Sequence, residues 1–219
     1  DIRMAGSAVV WVFLSGLSLS LASQSVCWPH DSDCPSCPDD RPLSPTSHLL
    51  LSFHPQFVEN ARKIERVLER HPGVVAPEKL LGLHTSLNYL CCHTEDEIRT
   101  IEKVFREWEW KAFQVNYTTF GCNLDHSGEI TYMTSLPNNA SQSLLFDWIR
   151  TAEEAIRSAG VNVTHPRVQL FHSTMARVNA TYPADEAVAQ LINTTLGSVH
   201  FDWFEFNGKA YSAQDRHFP

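Results

Sequence analysis

The sequence predicts an α+β domain built from two similar halves, with antiparallel or mixed sheets inside and helices outside. Helix-like and strand-like segments alternate along the chain, and 43% of its 219 residues are hydrophobic. Two strand-like segments also carry the same His-x-Ser/Thr pattern, at His84 and at His172. A chain of this size can bury one core of ordinary dimensions. We therefore expect a two-lobed, pseudo-symmetric arrangement, although the halves share no further repeat.

Helices are predicted where apolar residues recur at helical spacing. We expect them at residues 55–71, from Thr94 to about 110, from Ser141 to Ala159, and from Pro183 to Leu196. Thr94 and Glu97 form a capping-box pattern, which marks the start of the second helix. Gly160 and Gly197 follow the last two helices and are typical of helix ends.

Strands are predicted where β-branched and aromatic residues cluster between turn signals. They lie at residues 79–90, 113–124 and 129–136, around His172, and at 199–206. The second and third of these read as a hairpin joined by a turn from Asp125 to Gly128.

The beginning of the chain resembles a secretory signal, which we place at residues 1–22. The stretch from Ala5 to Ala22 has no charge, and Ser20 and Ala22 are small residues suited to a cleavage site. An uncleaved membrane anchor is the alternative, because about 18 apolar residues is the lower limit for spanning a bilayer. The serines and glycines in the stretch favour cleavage. We expect a secreted, extracellular protein, monomeric and not attached to a membrane.

Five Asn-x-Ser/Thr sequons agree with a secreted protein and are predicted glycosylation sites. They are at Asn116, Asn139, Asn162, Asn179 and Asn193.

Residues 23–47 are rich in Pro, Ser, Asp and Cys, and we expect an extended segment held by disulfides before a folded domain at 48–219. The disulfide candidates are Cys27, Cys34, Cys37, Cys91, Cys92 and Cys122. An even number of cysteines in an oxidising compartment favours disulfides, but the sequence leaves their pairing open. Zinc bound by His30 and the first three cysteines is the alternative, although the second Cys-x-x-Cys half of a structural zinc site is missing.

The charge limits the class of ligand. The formal net charge is −8 and the pI is about 5.7, so no extended surface for gripping nucleic acid is expected. Small or short anionic ligands remain possible because a few local donors can bind them.

Side chains alternate along a strand, so each His-x-Ser/Thr motif aims its imidazole and its hydroxyl in the same direction. His84, Ser86 and Asn88 are predicted to share one face, opposite Thr85, Leu87 and Tyr89. Likewise, His172, Thr174 and Ala176 are predicted to lie opposite Phe171, Ser173, Met175 and Arg177. If the two strands are neighbours, the polar faces form a cleft with two histidines and two hydroxyls.

Such a cleft suits cleavage of a phosphodiester without a metal. One neutral histidine takes a proton from the attacking group, and one protonated histidine gives a proton to the leaving oxygen. Imidazole titrates near pH 6.5, so both forms coexist close to neutrality. The hydroxyls can donate to the phosphoryl oxygens, where negative charge accumulates in the transition state.

The paired motifs, HTSL at 84–87 and HSTM at 172–175, resemble those of the 2H phosphoesterase superfamily. This superfamily includes bacterial 2′-5′ RNA ligase-like proteins and cyclic nucleotide phosphodiesterases. Residues 165–178 resemble its second motif strand with the following Ala-Arg, and residues 113–156 resemble its hairpin-then-helix insert. The resemblance covers about residues 48–215.

This resemblance implies a function and roles for the motif residues. His84 and His172 would be catalytic, and Ser86 and Thr174 would bind the phosphate. No metal or other cofactor would be needed. The substrates would be small nucleotides or short RNA ends with 2′,3′-cyclic, 2′-5′ or related phosphodiesters.

Three alternatives remain open at this stage. The chain could bind nucleotides or phosphate without turning them over, as a secreted carrier or sensor. It could be a structural glycoprotein in which the two motifs are coincidental. It could also be a metallohydrolase, which would lose activity with EDTA, although no metal-ligand spacing supports this.

Four aromatic residues are candidates for stacking on a base: Tyr89, Phe171, Trp203 and Tyr211. Alternation places Tyr89 and Phe171 on the apolar faces, so we expect them in the core. It does not decide whether Trp203 and Tyr211 are in the core or at the site. Arg177 is expected opposite the histidines, in a structural role.

Overall fold

The structure is a computed structural model of the chain. It describes residues 27–29, 48–51, 55–70, 73–77, 84–90, 92–124, 130–163, 170–179 and 195–214. The predicted signal peptide, the hairpin turn after residue 124 and nearly all of the predicted helix at 183–196 lie outside the described residues.

Three helices and ten strands make up the described residues. The helices are α1 (Pro55–Leu68), α2 (Glu95–Glu107) and α3 (Asn139–Ser158). The strands are β1 (Cys27–Pro29), β2 (His48–Leu51), β3 (Val74–Pro77), β4 (Thr85–Tyr89), β5 (Phe113–Leu124), β6 (Ile130–Pro137), β7 (Ser173–Asn179), β8 (Gly197–Phe201), β9 (Trp203–Phe206) and β10 (Lys209–Ser212).

The strands form one sheet in the order β1-β5-β6-β7-β4-β2-β9-β10, with β3 also paired to β7 and β8 to β5. All of these pairs are antiparallel except β1–β5, which is parallel. Strands β4 and β7, at the centre, are joined through the pair Thr85–Ser173. We call this junction the seam. It divides the sheet into a first lobe (β4, β2, β9, β10) and a second lobe (β7, β6, β5, β1, β3, β8), so the predicted two-lobed α+β architecture is confirmed.

One predicted strand is in fact two. Residues 199–206 were expected to be continuous, but Asp202 separates β8, which pairs with β5, from β9, which pairs with β2 and β10. The chain therefore passes from the second lobe to the first within one residue. For this to be possible, the outer edges of the lobes must lie close together, and the sheet curls around the core. The buried apolar positions change phase at the break, from Val199 and Phe201 before it to Phe204 and Phe206 after it. This change of phase is the signal in the sequence that could have revealed two strands.

The helices begin and end largely as predicted. In α2, Thr94 accepts a hydrogen bond from the Glu97 backbone, and the Glu97 side chain accepts one from the Thr94 backbone, so the capping box is confirmed. Helix α3 begins two residues earlier than expected because Asn138 caps it, its Oδ1 accepting from the Ser141 backbone at 2.9 Å. Gly160, with φ of +85°, ends α3 as predicted.

An aromatic cluster fills the space between α2, α3 and strands β8 to β10. Phe105 and Phe204 meet edge to face with ring centres 5.0 Å apart, and Trp148 meets Phe204 at the same distance. Edge-to-face pairs are favourable because the positive ring edge meets the negative ring face. This cluster anchors α3 to the sheet.

An ion pair between the buried Glu102 and the exposed Lys209 joins α2 to the hairpin of β9 and β10. Glu102 is 6% exposed and accepts hydrogen bonds from Lys209 at 2.6 Å and from Asn207 at 2.8 Å. Those two hydrogen bonds are the main reason that the pKa of Glu102 is held below its ordinary value.

Some of the predicted disulfide and sequon residues lie in the described part of the chain. Cys92 and Cys122 are both disulfide-bonded, and Cys27 lies beside Cys122 in the parallel β1–β5 register. Of the sequon residues, Asn139 and Asn162 are exposed and Asn116 is half-buried. None of the helices in the described ranges has the length and apolar character that crossing a bilayer requires.

Candidate functional site

The two His-x-Ser/Thr motifs meet at the seam. Thr85 lies between His84 and Ser86, Ser173 lies between His172 and Thr174, and Thr85 and Ser173 are direct partners across the strands. The Ser173 hydroxyl also donates to the His84 carbonyl at 2.9 Å. The structure therefore brings together two segments that are distant in the sequence.

Continuing this antiparallel register by one residue in each direction pairs His84 with Thr174 and His172 with Ser86. All four side chains then lie on one face of the sheet, which we call the histidine face. The two histidines are diagonal neighbours, a relation in which residues are roughly 7–8 Å apart and their Cβ atoms somewhat closer. That separation leaves room for a phosphoryl group between two imidazole rings. His84 is exposed and the other three residues are partly exposed, so a ligand can reach them.

The backbone selects the tautomer of His172. Its Nδ1 lies 3.0 Å from the Leu170 carbonyl oxygen. Since a carbonyl only accepts hydrogen bonds, Nδ1 carries the hydrogen in this contact. In the neutral ring the proton acceptor is then Nε2, the nitrogen that can exchange a proton with a ligand.

The opposite face of the motif strands is buried, as alternation predicts. Thr85, Leu87 and Ser173 are fully buried, and Phe171 and Met175 nearly so. The Thr85 hydroxyl hydrogen-bonds to the Tyr117 hydroxyl at 2.6 Å, and burial raises the pKa of this phenol. These contacts anchor the strands from below and leave the histidine face open.

The alternation fails beyond the hydroxyls, because each motif strand contains a β-bulge. On β4, Leu87 and Asn88 together oppose one position of β2. On β7, Met175 and Ala176 do the same against β6. Asn88 and Ala176 were predicted on the histidine face, and this is wrong: they are 1% and 0% exposed. The bulges occur at equivalent positions after each histidine, a repeat that the sequence does not display.

The bulges also reverse the faces of Tyr89 and Arg177. Arg177 and Thr174 pair with positions 132 and 134 of β6, which are two residues apart, so Arg177 has the same face of β7 as Thr174. Arg177 is therefore exposed on the histidine face, contrary to the prediction. The pairing with β2 likewise places Tyr89 on that face, half-buried and partly packed against the core.

The remaining aromatic candidates divide between the core and the histidine face. Phe171 is buried against Phe146, with ring centres 4.6 Å apart, so its predicted core position is confirmed. Tyr211 stacks on Phe204 at 5.3 Å inside the aromatic cluster and is not available to a ligand.

Trp203 is half-buried, and register places it on the histidine face together with Glu205. Leu50 of β2 pairs with both Ser86 and Glu205, and Trp203 is two residues from Glu205 along β9. The sequence did not reveal Glu205 because its place depends on the β2–β9 pairing.

A cavity of about 500 Å³ adjoins the strand of His172. Its lining includes Leu170, whose carbonyl holds the His172 ring, and Leu136, which register places beside His172 on β6. The other lining residues are Thr118, Thr119, Pro137, Asn138, Asn139, Ala140 and Gln142. The cavity therefore lies between the N-terminus of α3 and strands β5 and β6, and none of His84, Ser86, His172 and Thr174 lines it.

No cluster of three or more potential metal-ligating side chains occurs within the described part of the chain. The side chains of the cysteine-rich segment, where zinc was the alternative, lie outside that part.

Comparison with known proteins gives a likeness in structure alone. No protein-family model matches the chain, and no curated protein sequence matches it. Escherichia coli LigT in its apo form is similar with 12% identity, over 75% of this chain and 92% of that one, at a TM-score of 0.46. Kluyveromyces marxianus Usb1 with uridine monophosphate gives 10% identity, 74% and 95% coverage, and a TM-score of 0.49. A protein described as a phosphoesterase gives 13% identity, 76% and 92% coverage, and a TM-score of 0.46.

At these identities and TM-scores the likeness supports no conclusion about function. The fold class rests on the helices, strands and strand pairings of the described residues.

Proposed function

We propose that the chain is a metal-independent phosphodiesterase that cleaves small nucleotide or RNA-end phosphodiesters by two-histidine acid–base catalysis. The pairing of Thr85 with Ser173 carries the proposal, because it brings two His-x-Ser/Thr motifs onto one open face. The residue-level resemblance to 2H phosphoesterases points to the same chemistry and to 2′,3′-cyclic, 2′-5′ or related bonds.

In the proposed mechanism, the phosphorus lies between the imidazoles of His84 and His172. The neutral ring accepts a proton from the attacking water or hydroxyl, and the protonated ring donates one to the leaving oxygen. Ser86 and Thr174 donate hydrogen bonds to the non-bridging oxygens, where charge develops. After one turnover the two rings have exchanged protonation states, and solvent restores them.

The substrate proposed here is small. The net charge of −8 disfavours binding along an extended nucleic-acid backbone.

We further propose that the protein is exported and glycosylated. The exposure of Asn139 and Asn162 and the disulfides of Cys92 and Cys122 support this. Expression in a secreting eukaryotic cell, followed by enzymatic removal of N-glycans, should lower the mass of the secreted chain. An unchanged mass would contradict the glycosylation proposal.

The test of function is a substrate panel with variants of the two histidines. The panel contains 2′,3′-cyclic nucleotides, 2′-5′ dinucleotides, 3′,5′-cyclic nucleotides and cyclic dinucleotides, and mass spectrometry identifies the bond broken. His84→Ala and His172→Ala should each lower kcat/KM on the order of 10²-fold or more, whereas His200→Ala, at an exposed site on β8, should not. Full activity of His172→Ala would refute its assigned role.

Two other outcomes identify the alternatives. Nucleotide binding without product after long incubation would indicate a non-catalytic binding protein on the same fold. Activity that disappears with EDTA and returns with added metal would indicate a metallohydrolase.

A further inference from the structure

Helix α3 contacts both motif segments through two long polar side chains on its buried face. These are Gln142 in the first turn and Glu153, 8% and 2% exposed. They are 11 residues apart, which is about three full turns, so both side chains lie on one face of the helix. The residues between them on that face are apolar and pack in the core, among them Leu145, Ile149 and Ala152.

Gln142 holds the backbone immediately before His172. Its Nε2 donates to the Phe171 carbonyl at 2.7 Å, and its Oε1 accepts from the Phe171 N–H at 3.0 Å. These two hydrogen bonds fix the amide orientation, since both depend on it. Phe171 lies between Leu170, whose carbonyl contacts the His172 ring, and His172 itself. The amide of Gln142 therefore fixes the backbone at the point where the His172 side chain is oriented.

Glu153 holds the strand immediately after Ser86. Its Oε1 accepts from Asn88 Nδ2 at 3.1 Å, and its Oε2 accepts from Arg157 at 3.0 Å. The Asn88 Oδ1 in turn accepts from the Tyr89 N–H at 2.9 Å. Asn88 is the bulge residue of β4, so the carboxylate stabilises the bulge that follows the first motif.

We propose that Gln142 and Glu153 are positioning residues that set the spacing of His84 and His172 from one rigid helix. The seam joins the motif strands through the pair Thr85–Ser173, and such a short ladder leaves the strands free to shift relative to each other. A continuous helix fixed to both segments removes that freedom. Acid–base catalysis needs this precision, because a misplacement of about 1 Å can cost 10²-fold in rate. This inference rests on the proposed phosphodiesterase function.

The decisive comparison is Gln142→Met against Gln114→Met, since Gln114 is exposed on β5 and undergoes the same chemical change. Glu153→Met against Glu154→Met, exposed on the same helix, forms the second pair. Gln142→Met and Glu153→Met should each lower kcat about 10- to 100-fold with KM changed less than about threefold. The controls should retain the wild-type kcat. If Gln142→Met does not fold, Gln142→Glu replaces it, because the carboxylate keeps the acceptor for the Phe171 N–H but cannot donate to the carbonyl.

A second readout does not depend on turnover. Nitrogen-15 NMR of the imidazoles reports which ring nitrogen carries the proton. Gln142→Met should reduce the Nδ1-protonated tautomer of His172, whereas Gln114→Met should not.

The outcomes separate this inference from the function on which it rests. If the wild type is active and both variants keep its kcat per folded molecule, the positioning role is overturned and the proposed phosphodiesterase function stands. If the wild type cleaves nothing in the panel, the proposed function fails. The NMR comparison then decides whether Gln142 orients His172, and an unchanged tautomer population would overturn that as well.

Discussion

The buried hydrogen bond between Thr85 and Tyr117 offers a quantitative test of the geometry at the seam. Both residues are 0% exposed, and their hydroxyls are 2.6 Å apart. Thr85→Val keeps the side-chain shape but removes a hydrogen-bond partner of the buried Tyr117 hydroxyl. Tyr117→Phe removes the hydroxyl to which the buried Thr85 hydroxyl is bonded. A buried polar group that loses its partner costs about 1–3 kcal/mol. We therefore expect each single variant to lower the free energy of unfolding by about that amount.

The double variant should be at least as stable as the less stable of the two single variants. Replacing both partners with apolar groups of the same shape removes the unsatisfied group and can be nearly neutral. The expected coupling energy in the double-mutant cycle is thus about 1–3 kcal/mol, measured by urea denaturation near neutral pH. Thr119→Val, at an exposed position on the same strand as Tyr117, serves as the control and should change stability by no more than about 0.5 kcal/mol. Additivity within about 0.5 kcal/mol would refute the reasoning, because it would mean that the hydroxyls do not interact.

The remaining predictions concern pH and a helix cap. Because the pKa of Glu102 is lowered in the folded state, its contribution to stability is present above the unfolded value near 4.5 and is lost as pH falls through the folded pKa. Thermal melting across acidic pH should therefore show wild type losing more stability than Lys209→Met, and parallel curves would contradict this. Asn138→Ala removes the α3 cap and should lower the free energy of unfolding by about 1 kcal/mol. Asn139→Ala, also in the first turn but with no capping bond, should cost less when both variants are produced without glycosylation. Equal losses would argue against the cap.

Much of the fold follows from local sequence patterns. The spacing of apolar residues predicted α1, α2 and α3, and the Thr94 capping box placed the start of α2 correctly. What failed was the start of α3, where the Asn138 cap was overlooked. Four of the five strands with three or four residues, β1, β2, β3 and β10, were not predicted because so few residues cannot show a periodicity.

The errors at the candidate site share one cause. Alternation correctly placed Thr85 and Ser173 in the interior, but it misplaced Asn88, Ala176 and Arg177. A bulge adds one residue to a strand relative to its partner, so it is a property of the pair and not of either strand. One extra residue turns every later side chain to the other face.

By itself, the sequence determined that each motif strand presents an imidazole and a hydroxyl on the same side, since alternation is a property of the extended backbone. Only the tertiary structure decided that the two strands are neighbours, that both contain a bulge after the motif, and that α3 is bonded to both. These features depend on which distant segments bury each other's apolar and polar groups. The packing of these distant segments minimises the free energy of the whole chain, so no local segment determines it.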